Sequence, residues 1–179
     1  MRASMDERLR IFRDLLEPLS PGRFADLACG HGKFALIASE LGWKVTAFDT
    51  RTERMPFTPG IEWVQQDVRD FDPQGFDCIG LLGIVYHLEV EAQIALFRKL
   101  AGKLTIIDTH IAPRGMRKHA GYRGRTFREK DALTASFGNK KSFWPTEPEL
   151  IRMLHDCGFC DVCVREPWYL PDRTFFVAR

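Results

Sequence analysis

Asp26-Leu27-Ala28-Cys29-Gly30-His31-Gly32 lies where a short apolar run gives way to a helical one. Phe24 to Ala28 reads as a buried strand, and Lys33 to Leu41 follows with helical spacing. Between them, Gly30-His31-Gly32 makes a tight turn whose missing side chains let the backbone approach a ligand closely. The first turn of the next helix points its unpaired amides at the same spot. Asp26, near the strand's end, adds a carboxylate beside that backbone. Strand, glycine turn and helix in this order put a candidate ligand site at the carboxyl end of a strand.

The flanking sequence repeats the alternation. Before the turn, Leu9, Phe12, Leu16 and Leu19, with Ile11 and Leu15, recur at helical spacing, and Pro21-Gly22 closes an N-terminal helical segment over 1–22. After it come a second strand at Val45–Phe48, a third at Ile61–Val64 and a fourth at Cys78–Leu82. A helix spans Val90–Leu100, and a fifth strand spans Leu104–Ile107. The strands are nearly continuous apolar runs, as expected when both faces of a parallel sheet are covered. Thr146-Glu147-Pro148-Glu149 has the form of a capping box ahead of a helix that Gly158 ends. Asp161–Val164 and Thr174–Ala178 then read as two last strands with no helix between them, hence an antiparallel hairpin. The fold class is α/β, a seven-stranded and mostly parallel sheet flanked by helices. At 179 residues this is a single domain with little room for a second.

The pattern breaks between residues 109 and 145, which read as a basic loop inserted over the site. From Ala112 to Lys130 the chain holds seven bases against one acid, a local charge of +6. The rest carries 19 bases against 23 acids, or −4. A basic segment on an acidic body points to an anionic partner. No apolar run is long enough for a membrane span, and the charged N-terminus lacks a signal core, so a cytoplasmic protein is expected. Five cysteines do not form a paired framework. Cys29 and Cys78 sit in apolar runs and read as core thiols. Cys157, Cys160 and Cys163 are spaced as if for metal, with His155 nearby. Cys160 and Cys163 fall around a strand on opposite faces, so core packing is the better account and no metal is expected.

Two further acids extend the site. Asp49 ends the second strand, where a carboxylate can accept both hydroxyls of a ribose. Asp67, just past the third strand, can accept from an adenine amino group. With Asp26, Gly30 and Gly32 these features resemble the class I S-adenosylmethionine-dependent methyltransferases, over residues 8 to 179. The resemblance implies a Rossmann-like sheet, S-adenosylmethionine as cofactor and S-adenosylhomocysteine as product. It implies donor contacts at Asp26, Ala28, Cys29, Gly30, Gly32, Asp49, Thr50, Asp67, Val68 and Leu82. Gly83–Leu88 and Ser142–Thr146 look like members that methylate small molecules. Gly30-x-Gly32-x-x-Ala35 also satisfies the dinucleotide fingerprint, but Asp26 interrupts the apolar run that normally meets the first glycine.

A methyl transfer to oxygen or protonated nitrogen needs a base. His87, after the fourth strand, is the leading candidate, and His110, after the fifth, is the second. Tyr86 can shape the acceptor pocket. Arg114, Arg123 and Arg125 offer planar forks for phosphate or carboxylate, and Tyr122 and Trp144 can wall the acceptor. The acceptor expected is an anionic small molecule. An RNA or protein acceptor is the alternative, and a third reading is a non-catalytic domain that binds the cofactor.

Overall fold

The sheet has β1 (Arg23–Leu27) near its centre. β1 lies parallel to both β2 (Lys44–Asp49) and β4 (Cys78–Leu82). With β3 (Glu62–Gln65), β5 (Leu104–His110), β9 (Val162–Arg165) and β10 (Arg173–Ala178), the order is β3-β2-β1-β4-β5-β10-β9. β10 is antiparallel to both of its neighbours. The structure is a computed structural model and describes residues 2–114, 117–129, 137–165 and 173–179, without the side chains of 2–6. Lys130 of the basic run and the connection at 166–172 lie outside the described residues.

Helices cover both faces. α1 (Arg2–Leu16) and α2 (Lys33–Glu40) close one face, where Phe12 packs edge-on against Phe34 and tilted against Phe24, with centroids 5.2 and 5.7 Å apart. α3 (Val90–Leu100) and α4 (Glu147–Asp156) close the other, burying Leu96, Phe97, Leu150 and Leu154. α1 stops at Leu16, short of Leu19, because Pro18 turns the residue before it away from helical geometry. Strand order reverses between β1 and β4, and such switch points open a crevice at the strands' carboxyl ends.

Several sequence expectations need correction. β5 runs on through Asp108, Thr109 and His110, which pair with Phe175, Thr174 and Arg173 of β10. These residues read as polar and strand-ending, yet the Asp108 carboxylate is buried because Arg8 and Arg173 donate to it. The segment expected to be an irregular loop contains β6 (Lys118–His119), β7 (Tyr122–Arg128) and β8 (Lys141–Pro145), a separate antiparallel sheet. It shows no apolar alternation because Tyr122 and Phe143 supply most of its buried face, and Gly124 leaves room for the Phe143 ring. Thr146 caps α4 without a side-chain bond, and Glu149 turns to Arg152 instead, so no capping box forms. Cys157 is buried, but Cys160, just before the edge strand β9, and Cys163, on it, are exposed rather than in the core.

Candidate functional site

The turn after β1 is wound left-handed. Ala28, Gly30 and Gly32 have φ of 59°, 53° and 64°. At Ala28 this conformation costs about 1–2 kcal/mol, since its side chain crowds the following carbonyl. Asp49 holds the turn from the end of β2. Its Oδ2 accepts from the Gly30 amide and its Oδ1 from the Arg51 amide, both at 2.9 Å. Gly32 serves packing: it caps α2, and a Cβ there would strike the Trp63 ring.

Asp26 lies beneath this turn and is 1% exposed. Neither carboxylate oxygen has a hydrogen bond of normal geometry. Burial pushes its carboxyl up to about 7, opposed by the Ala35 amide in the first turn of α2 and reinforced by the Asp49 charge. Burial likewise raises the Cys29 thiol, which stays protonated and unreactive.

A cavity of about 310 Å³ opens at the switch point. Ala28, Cys29, Gly30, Asp49, Thr50 and Leu82 line one part of it, and Tyr86 and His87 line another. Asp67 and Val68 border an adjoining hollow that shares Ala28, Thr50, Ile84 and Phe137 with the cavity. The Asp67 carboxylate is already engaged by the Arg69 amide, Nε and Nη2, which hold it below the usual carboxylate range. Arg69 also donates to the Phe137 carbonyl, and so ties the inserted segment to the rim of this hollow.

His87 sits on the short turn after β4, which Gln93 of α3 fixes by donating to the carbonyls of Val85, Leu88 and Phe143. Its Nδ1 is 3.3 Å from Glu129 Oε1. Burial holds the imidazole below its usual range, Glu129 pulls it up, and the Arg173 and Arg54 charges push it down. Tyr86 packs against His87 at 4.3 Å and His110 at 4.6 Å. Trp144 stacks flat on His110 and donates to the Tyr86 carbonyl at 3.0 Å. The Arg173 guanidinium faces His110 Nε2 at 2.9 Å, so that nitrogen accepts and its lone pair is engaged.

The basic residues singled out in the sequence do not line the cavity. Arg114, Arg123 and Arg125 are exposed. Arg125 rests on the Phe127 ring, which packs on Trp144. Side chains alternate along β7, so Tyr122 turns the opposite way, into the core. Its hydroxyl donates to Asp156 at 2.8 Å. The cations at the cavity are instead Arg8, Lys33, Arg51 and Arg54. Sequence reading missed Arg8, Arg54, Glu129 and Phe137. Glu129 left a trace as the lone acid of the basic run, and Arg8 as a cation next to the apolar stripe of α1. Among the described residues no cluster of His, Cys, Asp and Glu could hold a metal ion.

No protein-family model matches the sequence, and no curated protein does. Solved structures do match. The N-terminal domain of EvdMO1 with S-adenosylhomocysteine bound aligns with a TM-score of 0.74 at 20% identity, covering 96% of this chain and 78% of that one. The Burkholderia thailandensis 1,6-didemethyltoxoflavin-N1-methyltransferase, bound to 1,6-didemethyltoxoflavin and S-adenosylhomocysteine, aligns at 0.68 and 19% identity, covering 98% and 79%. The glycopeptide N-methyltransferase MtfA with S-adenosylhomocysteine aligns at 0.66 and 17% identity, covering 96% and 88%. With its strand order, its terminal antiparallel hairpin and its glycine turn at the switch point, the chain has the fold of the class I S-adenosylmethionine-dependent methyltransferases.

Proposed function

We propose that this protein is an S-adenosylmethionine-dependent methyltransferase acting on an anionic small-molecule acceptor. The observation that carries this reading is a single cavity bordered at one part by the glycine turn with Asp49 and at another by His87. Its volume is within the range of small-molecule sites. Structural neighbours bound to S-adenosylhomocysteine support the donor's identity.

The residues present fit that donor. Asp49, positioned by two backbone amides, keeps lone pairs on both oxygens for ribose hydroxyls. Thr50, Val68 and Ile84 border the hollow suited to the base, with Asp67 at its edge. Asp26 offers a buried carboxylate to a cationic group reaching past the turn. S-adenosylmethionine, when bound, supplies a methyl group already activated on a sulfonium.

The protein's own part is to orient the acceptor and take its proton. Burial keeps His87 neutral at pH 7. With Nδ1–H donating to Glu129, the lone pair is on Nε2, the tautomer a base requires. His110 is the weaker candidate because Arg173 already engages its Nε2. Tyr86 packs beside both imidazoles and borders the cavity. The cationic lining, with Asp49 as its one acid among the described residues, favours an anionic acceptor. A nucleic-acid acceptor is the second reading, favoured by exposed Arg117, Lys118, Arg123, Arg125 and Arg128 on and beside the inserted sheet.

Calorimetric titration with S-adenosylmethionine and S-adenosylhomocysteine tests the donor. Saturable binding that weakens at least about tenfold in Asp49→Ala is expected, the loss of two charge-assisted hydrogen bonds. A folded protein that binds neither ligand would overturn the reading.

A further inference from the structure

Arg54 lines the cavity yet makes no hydrogen bond or ion pair with any described residue. Its Nε is buried without a partner. Its Nη2 lies 3.3 Å from where a Cβ on Gly30 would be, so the guanidinium rests over the glycine turn. Of the other lining cations, Arg8 donates to Asp108, Arg51 lies over the Phe137 ring at 5.4 Å, and Lys33 is exposed to solvent rather than half-buried. Asp49, the nearest acid of the lining, is occupied by backbone amides rather than by Arg54.

A half-buried guanidinium with an unpaired inner N–H is costly to hold in place. The cost is removed when a ligand supplies an anion, and the planar fork of arginine matches a carboxylate best. The position is also informative. Arg54 rests on the turn assigned to the donor, while its charge reaches His87. It lines the same cavity as the glycine turn and His87.

We propose that Arg54 is the carboxylate-binding side chain of this cavity, taking either the α-carboxylate of the donor's amino-acid portion or a carboxylate of the acceptor. The identity of those ligands rests on the methyltransferase reading; the presence of an anion site does not. The two sources share one chemistry and are separated by the choice of probe.

The experiment compares the unsubstituted protein with Arg54→Met and Arg54→Lys by calorimetry. The probes are S-adenosylhomocysteine, 5′-methylthioadenosine, which keeps the nucleoside but lacks the amino acid, and benzoate added to S-adenosylhomocysteine-saturated protein. A donor carboxylate predicts that Arg54→Met weakens S-adenosylhomocysteine by at least about tenfold and leaves 5′-methylthioadenosine unchanged. An acceptor carboxylate predicts that both nucleosides bind as before and benzoate weakens by a similar factor. Arg54→Lys, which keeps charge without the fork, should fall between. Equal losses for both nucleosides would make Arg54 a wall of the nucleoside pocket and overturn the proposal. So would unchanged nucleoside binding with benzoate bound equally by both proteins or by neither. Wild-type protein that binds neither nucleoside would sink the methyltransferase reading alone, and benzoate titrated into the unliganded protein would then decide on Arg54.

Discussion

His87 Nδ1 meets Glu129 Oε1 at 3.3 Å although 42 positions separate them in the chain. One residue comes from the turn after β4 and the other from just beyond β7, so the inserted sheet completes a pair begun by the parallel sheet. Asn139, farther along the insertion, donates to the His87 carbonyl at 3.0 Å and fixes the same residue from its backbone side.

That pairing gives the first prediction. Glu129→Gln removes a charge that raises the His87 pKa, so the acidic limb of the kcat/KM profile should move to lower pH. The plateau should fall about tenfold or more as the tautomer loosens, with donor binding unchanged. His87→Ala should lower the plateau by about 10²–10⁴ and abolish the limb. The same depressed imidazole stabilises the fold above pH 6.5, and that contribution is lost as pH falls through its folded value. A Glu129→Gln profile superimposable on wild type would reduce the pair to a structural role.

Asp26 titrates the opposite way. Its carboxyl is raised from 3.8 to about 7 by burial, so the folded state keeps this proton longer than the unfolded chain does. The associated stability is present below pH 3.8 and is lost as pH rises to about 7. The whole shift corresponds to on the order of 4 kcal/mol. Asp26→Asn keeps the shape without the charge. Its melting temperature should match wild type near pH 4 and exceed it by several degrees at pH 8. Its donor affinity should drop at the same time. Parallel melting curves at the two pH values would assign the buried charge elsewhere.

What is legible in the sequence follows from how local the signals are. The turn at Gly30, the acids at Asp26 and Asp49 and the apolar strands are set by neighbouring residues, and all stand near their expected places. The inserted sheet is not legible, because β7 alternates arginine with Gly124 and Thr126 and borrows its core packing from Phe143. In the sequence Arg173 only flanks the last strand, since nothing nearby indicates that Asp108 lies 65 positions away and opposite in space. The sequence points to recognition by arginine, but on exposed β7. The cations that line the cavity come from α1, the start of α2 and the segment after β2.

Asp108 receives Nε donation from Arg8 and a two-nitrogen fork from Arg173, all at 2.7–2.9 Å, with its own side chain fully buried. Removing one member of a buried pair strands the others, at about 3–5 kcal/mol. Asp108→Ala should therefore be strongly destabilising in urea. Arg173→Met combined with Asp108→Leu should recover part of the loss, because an apolar pair of similar volume replaces the buried fork and only the cavity-lining Arg8 loses its partner. Arg173 also lies against the Tyr86 ring at 5.2 Å, so the rescued protein should still show a raised acceptor KM. An additive double mutant would mean that the two side chains do not act as a pair.

The exposed arginines of β7 act at a distance if they act on a small acceptor at all, because they do not line the cavity. Their field is screened over about 30 Å at 0.01 M salt and about 3 Å at 1 M. Arg123→Glu with Arg125→Glu should lower kcat/KM for an anionic acceptor several-fold at low salt, and the two proteins should converge as salt rises. Direct binding by these arginines would leave a deficit at every ionic strength. If the acceptor were instead a nucleic acid, the substitutions would flatten the fall of log affinity with log salt, by about one unit of slope for each phosphate no longer neutralised. Measuring kcat/KM and affinity across a salt series therefore separates steering of a small anion from binding along a charged backbone.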